Sequence, residues 1–142
     1  MTIAAILNNK SGEIVSLSPG SSVAEAVAVL AQRRIGAAPV LDNDRVAGIF
    51  SERDVLYCLQ ASGAAALARQ VSEVMTAPAQ TVRPDESVMG ALALMTRRRI
   101  RHLPVVDGER LVGFVSIGDL VKYRIDRIEA DAAAMRDYIQ SA

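Results

Sequence analysis

Arg33-Arg34-Ile35-Gly36-Ala37-Ala38-Pro39-Val40-Leu41-Asp42 returns sixty-five residues later as Arg98-Arg99-Ile100-Arg101-His102-Leu103-Pro104-Val105-Val106-Asp107. The offset is constant, so that residues 15–57 lie over residues 80–122 without a gap. The chain is a duplication, and a fixed internal period has to be read before any single element. Matches outside this stretch include Pro19/Pro84, Ser22/Ser87, Gly48/Gly113, Ser51/Ser116 and Asp54/Asp119. They fall on turn, cap and polar positions as well as on core positions.

Each copy reads outward in the same order. A short extended piece (residues 14–17; residues 80–82) meets a turn at Pro19-Gly20 or Pro84-Asp85, and Ser22 or Ser87 then caps a helix. Val23, Val27 and Leu30, like Val88, Leu92 and Met95, recur at i, i+4, i+7 and give each helix one apolar stripe. Residues 38–41 and 46–50 flank the turn Asp42-Asn43-Asp44, and residues 103–106 and 111–115 flank Asp107-Gly108-Glu109, so each copy holds a β-hairpin. Asp54 and Asp119 then sit in the first turn of a further helix, where a carboxylate suits the positive end of the dipole. The expected fold class is α/β (α+β): two pseudo-twofold-related β-α-β-β-α repeats sharing a core, plus a long C-terminal helix. The expected divisions are residues 1–62 for the first repeat, 63–70 for an Ala-rich connection, 71–124 for the second repeat and 125–142 for the helical extension. Residues 1–14 read as a degenerate partner of Val71-Ser72-Glu73-Val74-Met75-Thr76.

Composition bounds the function. With 142 residues, 51% of them hydrophobic and 23% charged, the chain has room for one ordinary domain or two small halves. Sixteen basic residues balance sixteen acidic ones, and there are only five aromatic residues, three Tyr and two Phe. That balance removes the field and the stacking platforms that nucleic-acid binding uses, so neither nucleic acid nor a membrane surface is an expected partner. The one cysteine, Cys58, lies in an apolar run and permits no internal disulfide, and the apolar start Ile3-Ala4-Ala5-Ile6-Leu7 is far shorter than a membrane span of ~20 residues. A cytoplasmic location is expected. One histidine, one cysteine and no Gly-rich phosphate loop of the Walker or dinucleotide type give neither catalysis nor a metal site a footing.

The duplicated motifs resemble a known family, the tandem cystathionine β-synthase domain pair (CBS pair, or Bateman module). The resemblance rests on Val71-Ser72-Glu73-Val74-Met75-Thr76, on Ile100-Arg101-His102-Leu103-Pro104-Val105-Val106-Asp107, and on Gly48-Ile49-Phe50-Ser51-Glu52-Arg53-Asp54 with its counterpart Gly113-Phe114-Val115-Ser116-Ile117-Gly118-Asp119. It covers nearly the whole chain. It implies a non-catalytic regulatory and signal-transduction protein that binds AMP or a related adenosine ligand (ATP, ADP, NAD(H) or S-adenosylmethionine) between the repeats and needs no cofactor.

The resemblance also implies the binding residues. Asp54 and Asp119 would accept ribose hydroxyls, and Ser51 and Ser116 would meet ribose or α-phosphate, with Ile49 and Phe114 on the same strands. Adenine would slide between apolar residues, its edge read by backbone groups just before the hairpin prolines Pro39 and Pro104, at Ala37 and Ala38 in one copy and His102 and Leu103 in the other. Each cleft would borrow the other copy's extended piece, Thr81 and Val82 for the Asp54 cleft, Ser16 and Leu17 for the Asp119 cleft. Arg53 would give the first cleft the better phosphate handle, since Gly118 stands at the matching position. Arg101 and His102 would turn toward the phosphates.

Plainer roles remain open for these residues. Asp54 and Asp119 are also what a helix start wants, Arg97, Arg98 and Arg99 also suit a solvated helix C-terminus, and His102 also suits packing. Along the last helix Val121, Ile125, Ile128, Ala132, Met135 and Ile139 are spaced 4-3-4-3-4. That seam either folds back on its own module or builds a homodimer. With no effector domain in the sequence, a sensor would act on a regulated protein in trans. The alternative is a protein-interaction or dimerisation module with vestigial clefts.

Overall fold

Serine caps start the two equivalent helices. In a computed structural model, which describes residues 1–10 and 12–141, the Ser22 hydroxyl accepts the Glu25 N–H at 3.1 Å and the Ser87 hydroxyl accepts the Gly90 N–H at 2.9 Å. These caps open α2 (Val23–Arg33) and α5 (Val88–Arg98). Both helices end on an arginine in the left-handed region, Arg34 at φ 54 and Arg99 at φ 55. The apolar stripes face inward: Val23, Ala26 and Leu30 are buried on α2, and Val88, Ala91 and Met95 on α5.

The hairpins follow. β1 (Ala37–Asp42) pairs antiparallel with β2 (Arg45–Ser51), and β3 (His102–Asp107) with β4 (Arg110–Ser116). Their registers shift at equivalent places, Val40/Leu41 and Val105/Val106. Asn43 (φ 51) and Asp44 (φ 68) supply the positive φ values of the first tight turn, and Gly108 (φ 64) does so in the second. The four strands form one sheet in the order β1-β2-β4-β3, joined at the centre only through Arg45↔Arg110. The Arg45 to Glu109 ion pair, 2.7 Å, lies across that seam. The extended pieces contribute one bridge each, Leu17↔Val40 and Val82↔Val105, with two backbone hydrogen bonds apiece. The expected first strand of each repeat is thus reduced to a single bridge, because a proline turn follows two residues later.

Two further helices complete each copy, and their placement crosses the chain order. α3 (Glu52–Ser62) runs into a 3-10 helix (Gly63–Ala68) and the short α4 (Val71–Val74), and α1 (Ile3–Asn9) opens the chain. The buried residues form one cluster per repeat. Ala66 and Val71 lie with Val23, Val40 and Phe50 of the first, whereas Ile3 and Ile6 lie with Val88, Val105 and Leu120 of the second. The helix that starts the chain therefore closes the second repeat, and α4 closes the first.

The backbone contacts match one for one. Ile3 N–H donates to Glu86 O at 2.9 Å as Val71 N–H donates to Ser21 O at 2.8 Å, and Ala4 N–H donates to Pro84 O as Ser72 N–H does to Pro19 O. Along these helices the repeat offset is 68, not 65, so α1 has three residues before the extended piece that α4 lacks. Each helix is admitted by a glycine. A Cβ on Gly48 would stand 2.7 Å from Thr76 O, and one on Gly113 2.5 Å from the Leu7 side chain.

The last helix, α6 (Ile117–Ser141), buries only Leu120. Its seam does not fold back on the module: Ile125, Ile128, Met135 and Ile139 are 49%, 52%, 61% and 65% exposed. No helix among the described residues is long and apolar enough to cross a membrane.

Candidate functional site

The two Ser-x-x-Asp motifs fold into the same local device. Ser51 caps α3: its backbone N–H donates to Asp54 Oδ2 at 2.9 Å, and the Asp54 N–H donates to Ser51 Oγ at 3.3 Å. At the start of α6, Ser116 N–H donates to Asp119 Oδ2 at 2.9 Å and Asp119 N–H to Ser116 Oγ at 3.1 Å. Both pairs are reciprocal capping boxes, so the helix-start role is realised in each copy.

The surroundings of the two carboxylates then diverge. Asp54 is 7% exposed, and its second oxygen, Oδ1, accepts the Thr76 hydroxyl at 2.9 Å. Among the described residues, Asp119 uses only Oδ2, which also takes the Lys10 ammonium at 2.8 Å; its side chain is 29% exposed and Oδ1 carries no protein hydrogen bond. Lys10 donates a further hydrogen bond to Phe114 O at 2.7 Å. Burial alone would raise the Asp119 carboxyl, but Lys10 and the Ser116 N–H outweigh it and hold the group below its ordinary value.

Asp119 opens onto a cavity of about 430 Å³, within the range of small-ligand clefts. Its walls come from both repeats. The first supplies Glu13, Ile14, Val15, Arg34, Gly36 and Ala37; the second supplies His102, Val112, Phe114 and Ser116; Leu7 and Lys10 come from the α1 segment. His102 stacks on Phe114 with ring centroids 5.6 Å apart and an interplanar angle of 14°. Burial pushes the His102 imidazole below its ordinary value, the Asp119 and Glu52 carboxylates pull it back, and Lys10 and Arg101 add to the depression. Such a wall is neutral, flat and apolar on one side and charged on the other, which suits a heteroaromatic base joined to a polar group.

Several expected residues meet here and several do not. Ala37, His102, Phe114, Ser116 and Asp119 line the cavity. The extended piece of the first repeat reaches it through Ile14 and Val15; Ser16 is exposed, and Leu17 turns into the first core. Ala38, Pro39, Leu103 and Pro104 are buried in the sheet. On the first-repeat side, Val82 belongs to the second core and Thr81 is exposed, and the hydroxyl that reaches Asp54 is that of Thr76. Ile49 pairs through its backbone with Thr76. Arg53, the expected phosphate handle, spends its guanidinium on Arg99 O at 3.1 Å, capping α5. Arg101 is exposed, and its carbonyl accepts the Ile117 N–H at 2.7 Å. Lys10, Glu13, Arg34, Thr76 and Val112 are not among the binding residues expected from the sequence, although Arg34 lies in the duplicated run and Thr76 in a motif that carries the resemblance. Lys10 and Glu13 lie outside the 65-residue register, where the repeat offers no second copy to compare.

The fold and cleft define a duplicated α/β module with a ligand-sized cavity between its halves. The chain belongs to the CBS domain family: the CBS domain model matches residues 7–61 and again residues 71–126. It is 30% identical over 131 residues to the CBS domain-containing protein YhcV of Bacillus subtilis, covering 92% of this chain and 93% of that one. Among solved structures, a protein with CBS domains from Burkholderia ambifaria MC40-6 is 40% identical at TM-score 0.83, covering 89% of this chain and 95% of its own. Two more distant structures, each 25% identical, were solved with ligands. CBSX2 is in complex with AMP (TM-score 0.75, covering 88% of this chain and 96% of its own), and the CBS domain pair of MJ0100 is in complex with 5'-methylthioadenosine and S-adenosyl-L-methionine (TM-score 0.78, covering 89% and 98%).

Proposed function

We propose that this CBS pair is a non-catalytic adenine-nucleotide sensor that takes AMP, or a related adenosine ligand, in the Asp119 cleft. The observation that carries the reading is the unequal use of the two carboxylates. Asp54 is buried with both oxygens occupied, while among the described residues Asp119 keeps one oxygen free at the edge of a cavity lined by both repeats. A ribose hydroxyl can donate to that free oxygen, and the His102 and Phe114 rings with Ala37 and Val15 offer apolar surface to a base. The ligands seen in CBSX2 and MJ0100 support an adenosine class. A ligand touching both repeats favours whichever relative arrangement it fits best, so occupancy would bias a surface that a regulated protein reads in trans. The exposed α6 seam supports a homodimer as that surface's context, and buried Cys58 suits a reducing cytoplasm.

The test is thermal unfolding with AMP, ADP, ATP, NAD, NADH and S-adenosylmethionine on the wild type, Asp54→Ala and Asp119→Ala. A ligand at a hundred times its Kd adds ~2.7 kcal/mol to the folded state. At least one adenosine ligand is expected to raise the wild-type Tm. Asp119→Ala should lose the rise. Asp54→Ala should start from a lower Tm, by about 1–3 kcal/mol of lost buried hydrogen bonding, yet keep it. No rise at millimolar ligand overturns the sensor reading and favours the interaction module that the bare α6 seam supports.

A further inference from the structure

Lys10 stands where the surroundings of the two capping aspartates differ. It caps the C-terminal end of α1, and the group that approaches Asp54 in its place is the neutral hydroxyl of Thr76, just after α4. Its ammonium is anchored by Asp119 Oδ2 at 2.8 Å and Phe114 O at 2.7 Å, and its side chain is 44% exposed at the cavity wall. An ammonium has three N–H donors. Two are used by these acceptors among the described residues, which leaves one for a ligand.

The charges around the cavity make that donor decisive. The lining holds two carboxylates, Glu13 and Asp119, and two cations, Lys10 and Arg34. Without Lys10 the carboxylates outnumber the cations, and a phosphate entering beside them meets net repulsion in a partly desolvated cleft. With Lys10 the charges balance, and the ammonium adds a charge-assisted hydrogen bond to any anion that reaches it.

Resting on the reading of the Asp119 cleft as an adenosine site, we propose that Lys10 is its specificity-determining residue, selecting adenosine ligands that carry an anionic substituent over the uncharged nucleoside. Lys10 holds Asp119 in place through Oδ2 while leaving Oδ1 for the sugar, and meets the anion with its remaining donor.

The experiment is isothermal titration calorimetry of AMP and of adenosine against the wild type, Lys10→Met and Lys10→Arg. The wild type should prefer AMP. Lys10→Met, which keeps the length and removes the charge, should weaken AMP on the order of tenfold to a hundredfold and adenosine by far less, since the Ser116 N–H still holds Asp119; Lys10→Arg should keep the preference. Equal losses for both compounds would show a merely structural Lys10 and overturn the proposal, as would no loss for either. If the wild type binds neither compound at millimolar concentration, the reading of the cleft falls with it. Equal binding of both compounds by the wild type and by Lys10→Met removes only the role of Lys10.

Discussion

The two aspartates show how one local motif takes on different work in two copies. Ser-x-x-Asp closes a capping box wherever a strand turns into a helix, and each box here is made of the same two bonds. What differs is the third partner, a neutral hydroxyl from Thr76 for Asp54 and an ammonium from Lys10 for Asp119. His102 is the other residue whose behaviour the cleft sets. Its imidazole is held below the ordinary value, first by burial, while Asp119, Lys10, Glu52 and Arg101 act on it in opposing directions. The folded protein therefore disfavours the protonated ring, which the unfolded chain accepts near pH ~6.5. The stability this contributes is present above that pH and lost as pH falls from it toward the lower folded value. Urea denaturation at neutral pH and at moderately acid pH should show the wild type losing more stability than His102→Phe, which keeps a ring on Phe114. Identical losses would show that His102 does not titrate in this window.

At the scale of elements, the crossed placement of α1 and α4 depends on two glycines with different neighbours. A side chain at Gly48 would strike the backbone carbonyl of Thr76, which is pinned by reciprocal hydrogen bonds with Ile49 at 2.8 and 2.9 Å. At Gly113 the obstacle is the tip of the Leu7 side chain, which can change rotamer. Gly48→Ala should therefore destabilise the fold by about 1–3 kcal/mol, and Gly113→Ala by less. Chemical denaturation of the two variants decides it, and equal costs would mean that the α4 contact yields as easily as a side chain.

The whole molecule presents one large feature that the fold leaves bare, the outer length of α6. Its base is fixed by Leu120, whose burial is worth roughly 1.5–3 kcal/mol, but the seam from Ile125 to Ile139 finds no partner within the described residues. In a parallel pair of such helices, Arg124 of one copy would face Glu129 of the other, and Asp131 would face Arg136, which is the charge pattern that supports a two-stranded seam. Removing residues 130–142 should lower the mass measured by light scattering from that of a dimer, and an unchanged mass would exclude this helix from the assembly.

Much of the architecture was legible in the sequence because its determinants are local. Ser22 and Ser87 cap residues three positions on, the apolar stripes of α2 and α5 follow helical spacing, and the turns between hairpin strands carry residues that accept positive φ. The duplication supplied what single motifs lack, a second instance of each signal in the same register. The cleft was legible only in part. Ser116 and Asp119 stood out because the repeat marked their positions, and His102, Phe114 and Ala37 because the family resemblance pointed to them; Lys10 and Glu13 lie outside the repeat, and Arg34, although duplicated as Arg99, carried no sign of facing a cleft. By itself, then, the sequence determined the repeat, its helices and hairpins, and the two capping carboxylates. Only the tertiary structure decided that α1 closes the second repeat and brings Lys10 across 109 positions to Asp119, while α4 brings Thr76 to Asp54. The physical reason is that a cap or a stripe is fixed by neighbours within a turn or two. The partner of a half-buried carboxylate is fixed by which distant helix finds an apolar groove to fill.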